Sequence, residues 1–164
     1  MTVTASTPSY RFRRGISEYT TIPSPASTMI NPGDLIFNNG GVAQVASAFT
    51  FTTDLPTTQA LAKQKFLGVA MDYKSASDPS TTPILVCLKG VFEYPVTAFS
   101  AAHHIGEFVG PAKDTGSNML DQKLAIAPTF DLGIGVLVEE ALNGATGVVV
   151  YLQSSIYTSL RPVT

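Results

Sequence analysis

The residues able to do chemistry are few, and their spacing keeps them apart. His103 and His104 are adjacent, and Glu107 is the nearest carboxylate to them in sequence. Neighbouring side chains on an extended chain point to opposite faces, so the two imidazoles cannot chelate one ion together. A zinc-type site needs three or four convergent ligands, and the sequence offers no further set. His103 and His104 therefore read as polar loop residues, and no metal is expected. Glu139 and Glu140 imitate a carboxylate pair, but they too diverge on a strand, and a solvated edge or a subunit contact is the better reading. Cys87 lies inside Ile84-Leu85-Val86-Cys87-Leu88. A thiol in such a run is a buried small hydrophobe, not a thiolate nucleophile. Asp34, after Gly33, is a turn residue. No Gly-X-Ser-X-Gly elbow, His-Glu-X-X-His pair or phosphate-binding glycine loop is present. No catalytic residue and no cofactor is assigned, and the chain is not expected to be an enzyme.

The bulk composition points the same way. The 164 residues suit one domain with a real core. Only 13% of them are charged and 45% are hydrophobic, against about 25% charged in an ordinary soluble domain. So little charge suggests that much of the surface is covered by other subunits. Residues 1–30 carry Arg11, Arg13 and Arg14 against Glu18, while the rest carries seven basic and eleven acidic residues. That balance is too weak for a nucleic-acid-binding body. Three arginines in a Ser/Thr/Pro-rich arm could instead grip an acidic protein surface. With one cysteine no intrachain disulfide can form. The N-terminus has no apolar stretch of a signal peptide, and no segment reaches the roughly 18 apolar residues that span a bilayer.

The elements that must position these residues are mostly strands. Residues 1–30 read as an extended arm, broken by Pro8, Pro23 and Pro25, with Tyr10, Phe12, Tyr19 and Ile22 along it. The body, 31–152, opens on the turn Asn31-Pro32-Gly33-Asp34. A first strand, Leu35–Phe37, leads to the hairpin turn Asn38-Asn39-Gly40-Gly41. One helix is expected from about Thr57 to Lys65, with Pro56 in its first turn. Strands are expected over Phe66–Tyr73, 84–95, Gly106–Gly110, Leu124–Ala127, Gly133–Leu142 and Val148–Leu152. On Gly133–Leu142, Ile134, Val136 and Val138 share one face. Ala98–His104 reads as a helical turn, Lys113–Gln122 as a polar loop, and 153–164 as a polar tail. Three glycines, Gly68, Gly90 and Gly135, each precede a valine inside an apolar run. Glycine in a strand marks a bend, a bulge or a close backbone approach. The expected fold is mainly β: a small, sharply curved β-barrel or β-sandwich with one short helix and an extended N-terminal arm.

The order of these motifs carries a resemblance. Gly33-Asp34 opens the first strand; Leu67-Gly68-Val69-Ala70, Gly90-Val91-Phe92-Glu93-Tyr94-Pro95 and Ile134-Gly135-Val136 follow. Glu139, Ala141, Gly144 and Val148-Val149-Val150 continue the match. Over about residues 31–152 the chain resembles the small capsid cement, or head decoration, proteins of tailed bacteriophages, a group sometimes labelled recombinase-like. It departs from that pattern in its longer N-terminal arm and in the segment 46–66.

The resemblance implies a β-tulip-like body, a homotrimer, and attachment to the major capsid protein on the outer surface of the virion after synthesis in the host cytoplasm. It implies mechanical stabilisation of joints between capsid subunits, without catalysis. Within that frame Tyr10, Arg11, Phe12, Arg13, Arg14 and Tyr19 are the candidate capsid anchors, and removal of residues 1–22 is expected to leave a folded trimer. Nucleic acid and membrane are not expected partners. The other readings are a different virion component, such as a tail, fibre or vertex protein, and a small-molecule-binding β-barrel or enzyme.

Overall fold

The long apolar run around Cys87 becomes the strand on which the molecule is built. The computed structural model describes residues 10–158 of the chain. Nine strands lie among them: β1 (Arg11–Pro23), β2 (Leu35–Asn39), β3 (Val42–Val45), β4 (Phe66–Ala70), β5 (Pro83–Pro95), β6 (Phe108–Lys113), β7 (Met119–Ala127), β8 (Gly135–Leu137) and β9 (Gly147–Gln153). Helix α1 (Leu55–Lys65) separates β3 from β4, and a short helix α2 (Ser155–Thr158) follows β9. The sheet runs β3-β2-β4-β5-β9-β8-β6-β7, with β1 added on β5. Every strand pair is antiparallel.

A strand has two edges, and β5 uses both along most of its length. β1 follows one edge, from Arg11 opposite Glu93 to Pro23 opposite Pro83. The other edge is shared: β4 pairs with Val86 and Cys87, and β9 takes over from Lys89 to Pro95. The handover lies at Leu88, whose carbonyl accepts the Ser154 N–H at 2.8 Å. The strands curve into a nearly closed antiparallel barrel with one helix of more than one turn, the curved β-barrel expected from the sequence. The gap between its ends is bridged by side chains. Ser47, in the turn after β3, donates its N–H and hydroxyl to the two Asp121 carboxylate oxygens on β7 at 2.6 and 2.9 Å.

Two apolar clusters hold this wall from either side. Phe37, Phe66, Val69, Phe92, Tyr94, Leu124, Leu137 and Val150 fill the barrel. Ile36, Leu67, Ala70, Ile84, Val86 and Leu88 point the other way and are covered by Ile22, Ile30 and Tyr157. The central strands are thus apolar on both faces because both faces are buried.

The glycines act through close approach. In the β2–β4 pairing Ile36 faces Gly68 while Phe37 faces Phe66, so Leu67 is the extra residue of a β-bulge. The bulge restores parity, returning Val69 to the barrel interior beside Phe66. A Cβ on Gly68 would overlap the Cys87 carbonyl oxygen, and one on Gly135 the Tyr151 carbonyl oxygen. Gly90 meets only ring carbons, Phe12 at 2.8 Å and Phe92 at 3.2 Å. Opposite Gly90 it is β1 that breaks register, between Arg14 and Glu18.

Several expected boundaries move, each for a local reason. The hairpin turn forms as expected: Gly40 and Gly41 take φ of 65° and 88°, and the Asn38 side chain accepts the Gly41 N–H at 2.7 Å. α1 begins at Leu55, because Asp54 caps it by accepting the Thr57 N–H at 2.8 Å. β4 stops at Ala70, and Lys74 pairs with Ile30 instead. Residues 98–104 form no helical turn: His103 exchanges backbone hydrogen bonds with Ala141 at 2.8 and 2.9 Å. The polar loop expected over Lys113–Gln122 is shorter, a turn over 114–118, for β6 runs to Lys113 and β7 starts at the buried Met119. β8 is confined to Gly135–Leu137, and its neighbourhood buries Ile134 and Leu137 while Val136 stays half-buried. The chain then leaves the sheet, because Ala141 is engaged with His103. From Arg11 onward the expected arm is extended, but it forms a wall of the body. Residues 1–9 and 159–164 lie outside the described residues.

Candidate functional site

β1 places the six candidate anchors, and it divides them. Tyr10 turns inward: its ring lies 6.2 Å from that of Tyr94 and occupies the space a Cβ on Gly33 would need. Burial pushes its hydroxyl pKa up, aided by the nearby Asp34 carboxylate. Phe12 rests edge-on against Phe92 at 5.4 Å, over Gly90. Tyr10 and Phe12 thus pack on rings of their own chain, Tyr10 half-buried and Phe12 still exposed at 37%. Arg11, Arg13, Arg14 and Tyr19 are exposed as well. Arg13 reaches Glu93 at 3.3 Å and Arg14 reaches Glu139 at 3.7 Å. Exposed pairs of this kind contribute about 0–1 kcal/mol and yield readily to another partner. Further along β1, Glu18 pairs with Lys89 and accepts the Tyr157 hydroxyl. The bonds from Lys89 and Tyr157 lower the Glu18 pKa, and Glu18 in turn raises both of theirs. That triad ties β1 to β5 and α2. The other edge of β1 has no strand partner among the described residues.

At the far end of β9 the two histidines find separate carboxylates. His103 Nδ1 lies 2.8 Å from a Glu107 oxygen, and His104 Nδ1 lies 2.7 Å from a Glu140 oxygen. The same carboxylates accept backbone N–H groups, Glu107 from His104 at 2.7 Å and Glu140 from Ile105 at 3.2 Å. The hydrogen bond to Glu140 raises the His104 pKa and lowers that of Glu140; that to His103 lowers the Glu107 pKa. These are loop staples. Glu139 and Glu140 diverge as expected, one to Arg14 and the other to His104. Among the described residues no group of three His, Cys, Asp or Glu side chains is placed to hold a metal ion.

Three further titratable side chains, Asp34, Lys74 and Cys87, are buried. Asp34 is buried, accepts the Asn31 N–H at 2.8 Å and the Gln122 amide at 2.8 Å, and has its pKa raised chiefly by desolvation. Lys74 is fully buried, with its ammonium donating to the Thr28 and Ser75 carbonyls at 3.0 and 3.1 Å. Nothing in the sequence around Lys74 marks it as buried. Cys87 is buried as expected, and burial pushes its thiol pKa up, which opposes thiolate chemistry.

A cleft of about 290 Å³ lies on the outer side of β6, β8 and β9. Phe108, Val136 and Tyr151 lie in cross-strand register along its floor. Phe130 forms a wall, edge-on to Phe108 at 5.7 Å. The Lys63 ammonium sits 3.3 Å above the Phe130 ring centre and donates to the Phe130 carbonyl. No sequence signal marks this cleft, because Phe130 lies in a stretch with no strand or helix pattern.

No helix among the described residues is long and apolar enough to cross a membrane. No family model matches the chain, and no curated protein matches it.

Proposed function

We propose that the chain is a structural protein of a tailed-phage virion, a cement protein that binds the outer capsid surface and reinforces joints between major capsid subunits. The observation that carries this reading is β1. It is a thirteen-residue strand that carries the exposed Arg11, Arg13, Arg14 and Tyr19 and leaves one edge without a strand partner among the described residues. An edge of this kind takes an extended segment of another protein by adding a strand, with side chains setting specificity. Arginines suit an acidic capsid surface, because their planar forks bind carboxylates in pairs. The low charge of the whole chain suits a protein that works under cover of its neighbours. Many copies repeated by capsid symmetry would turn modest contacts into firm attachment. The order of the glycine–valine motifs supports the same assignment, which would bring a homotrimeric state with it.

The test is co-sedimentation with phage heads. The triple variant Arg11→Glu/Arg13→Glu/Arg14→Glu is expected to keep its fold, since its ion pairs are exposed, and to bind heads at least about tenfold more weakly. Undiminished binding would remove β1 from the account.

A further inference from the structure

The barrel interior is filled by its own side chains, so the space for a ligand lies outside it, in the cleft against β6, β8 and β9. Phe108, Val136 and Tyr151 stand side by side on three paired strands and make a continuous apolar floor. The buried Phe66 and Ile134 line the cleft as well, and Phe130 walls it, its ring edge-on to that of Phe108. Three aromatic rings thus face one hollow. Among the described residues no carboxylate lines it. Lys63, the cation of the lining, is already engaged by the Phe130 carbonyl, by the Phe130 ring and by a further contact. An ion entering the cleft would give up its water without gaining a partner of its own.

Size decides between a small molecule and a protein partner. A sphere of 290 Å³ has roughly 200 Å² of wall, about a quarter of what each partner buries in a standard protein interface. The volume instead sits near the lower end of small-molecule pockets, about 300 Å³. We propose that the cleft is a binding site for a neutral aromatic molecule of about two fused rings, packed against Phe108, Phe130 and Tyr151. Rings in such a site meet edge-to-face or offset, as Phe130 and Phe108 already do. The floor is sheet, and the wall is pinned where Lys63 holds the Phe130 carbonyl and ring. The hollow therefore stands open before a ligand arrives, and little ordering opposes binding. The site asks nothing of β1, so it stands or falls separately from the capsid reading.

Fluorescence titration of the full chain with 2-naphthol, neutral at physiological pH, tests this. Saturable binding of one molecule per chain is expected, and its absence overturns the site. Val136→Phe sets a ring on the floor, and Phe130→Ala removes a wall that is 47% exposed; each should weaken binding at least about tenfold. Both should keep the wild-type circular dichroism spectrum, because neither side chain belongs to the barrel core. If Val136→Phe does not fold, Phe130→Ala decides alone. A folded variant that binds 2-naphthol like the wild type overturns the location. The same rings carrying a carboxylate, 2-naphthoate, should bind at least about tenfold more weakly. Equal or tighter binding of 2-naphthoate overturns the neutral ligand and makes the cleft an anion site at Lys63. Sedimentation equilibrium of both variants should match the wild type. Dissociation of a wild-type oligomer in either one overturns the proposal and makes the cleft an interface between copies.

Discussion

At the scale of single residues, the three glycine–valine pairs do unequal work. Gly68 and Gly135 each lie against a backbone carbonyl, of Cys87 and Tyr151, and no side chain can move aside to admit a Cβ. Gly90 faces ring carbons of Phe12 and Phe92, which can shift by a few tenths of an ångström. Gly68→Ala and Gly135→Ala should each cost more than about 3 kcal/mol or abolish soluble expression, and Gly90→Ala markedly less. Urea denaturation of the three variants gives the order, and equal losses would contradict the carbonyl argument. The glycines were visible in the sequence. What each one touches was not, because the carbonyl against Gly68 belongs to Cys87 and that against Gly135 to Tyr151, each on another strand.

The histidine pair carries a pH dependence with a definite sign. The His104 pKa is raised in the folded protein, so its contribution is complete below the ordinary histidine value of about 6.5 and fades as pH rises through the folded value. Glu107 and Glu140 are lowered, so theirs holds above the ordinary glutamate value of about 4.3 and fades as pH falls through their folded values. The loop around His104 should be held best between those limits. His104 is 72% exposed at its side chain, so water screens the effect and it is local. Protection of the Ile105 amide from hydrogen exchange, corrected for intrinsic rate, should peak between about pH 4.5 and 6.5. In Glu140→Gln that peak should flatten.

At the scale of elements, β1 matters most. Its pairing with β5 covers Ile84, Val86 and Leu88 through Ile22, and its start seats Tyr10 and Phe12 on Tyr94 and Phe92. Removing residues 1–22 therefore strips a wall from the barrel and bares the edge of β5 from Ile84 to Glu93. The truncated chain should be insoluble or lose its cooperative thermal transition; a soluble, cooperatively melting product would show that β1 is dispensable. β1 was hidden in the sequence because it is an edge strand rich in Arg, Ser, Glu and Thr, and such strands lack the apolar alternation of a sheet interior. β7 was hidden for a related reason: Asp121, Gln122 and Lys123 sit within it, and two of them serve the barrel closure. By contrast β5, β9, α1 and the Asn-Asn-Gly-Gly hairpin were legible, since their signals are local: apolar runs, good helix formers, and residues that accept positive φ. Of the candidate surface, the arginines and Tyr19 were legible as a set, whereas the inward turn of Tyr10 depends on Gly33 and Tyr94 across the barrel.

At the scale of the whole molecule, the barrel is a rigid spacer with contacts around it. In the reading proposed above, the basic strand β1 serves the capsid, a contact that needs no chemistry and gains from repetition. A tail, fibre or vertex component could share this architecture, and number separates the readings. The decisive measurement is quantitative mass spectrometry of purified phage particles, giving copies of this chain per copy of the major capsid protein. The account predicts a ratio fixed by the capsid lattice, on the order of hundreds of copies per head, as repeated weak contacts require. A handful per particle, or none, would contradict it.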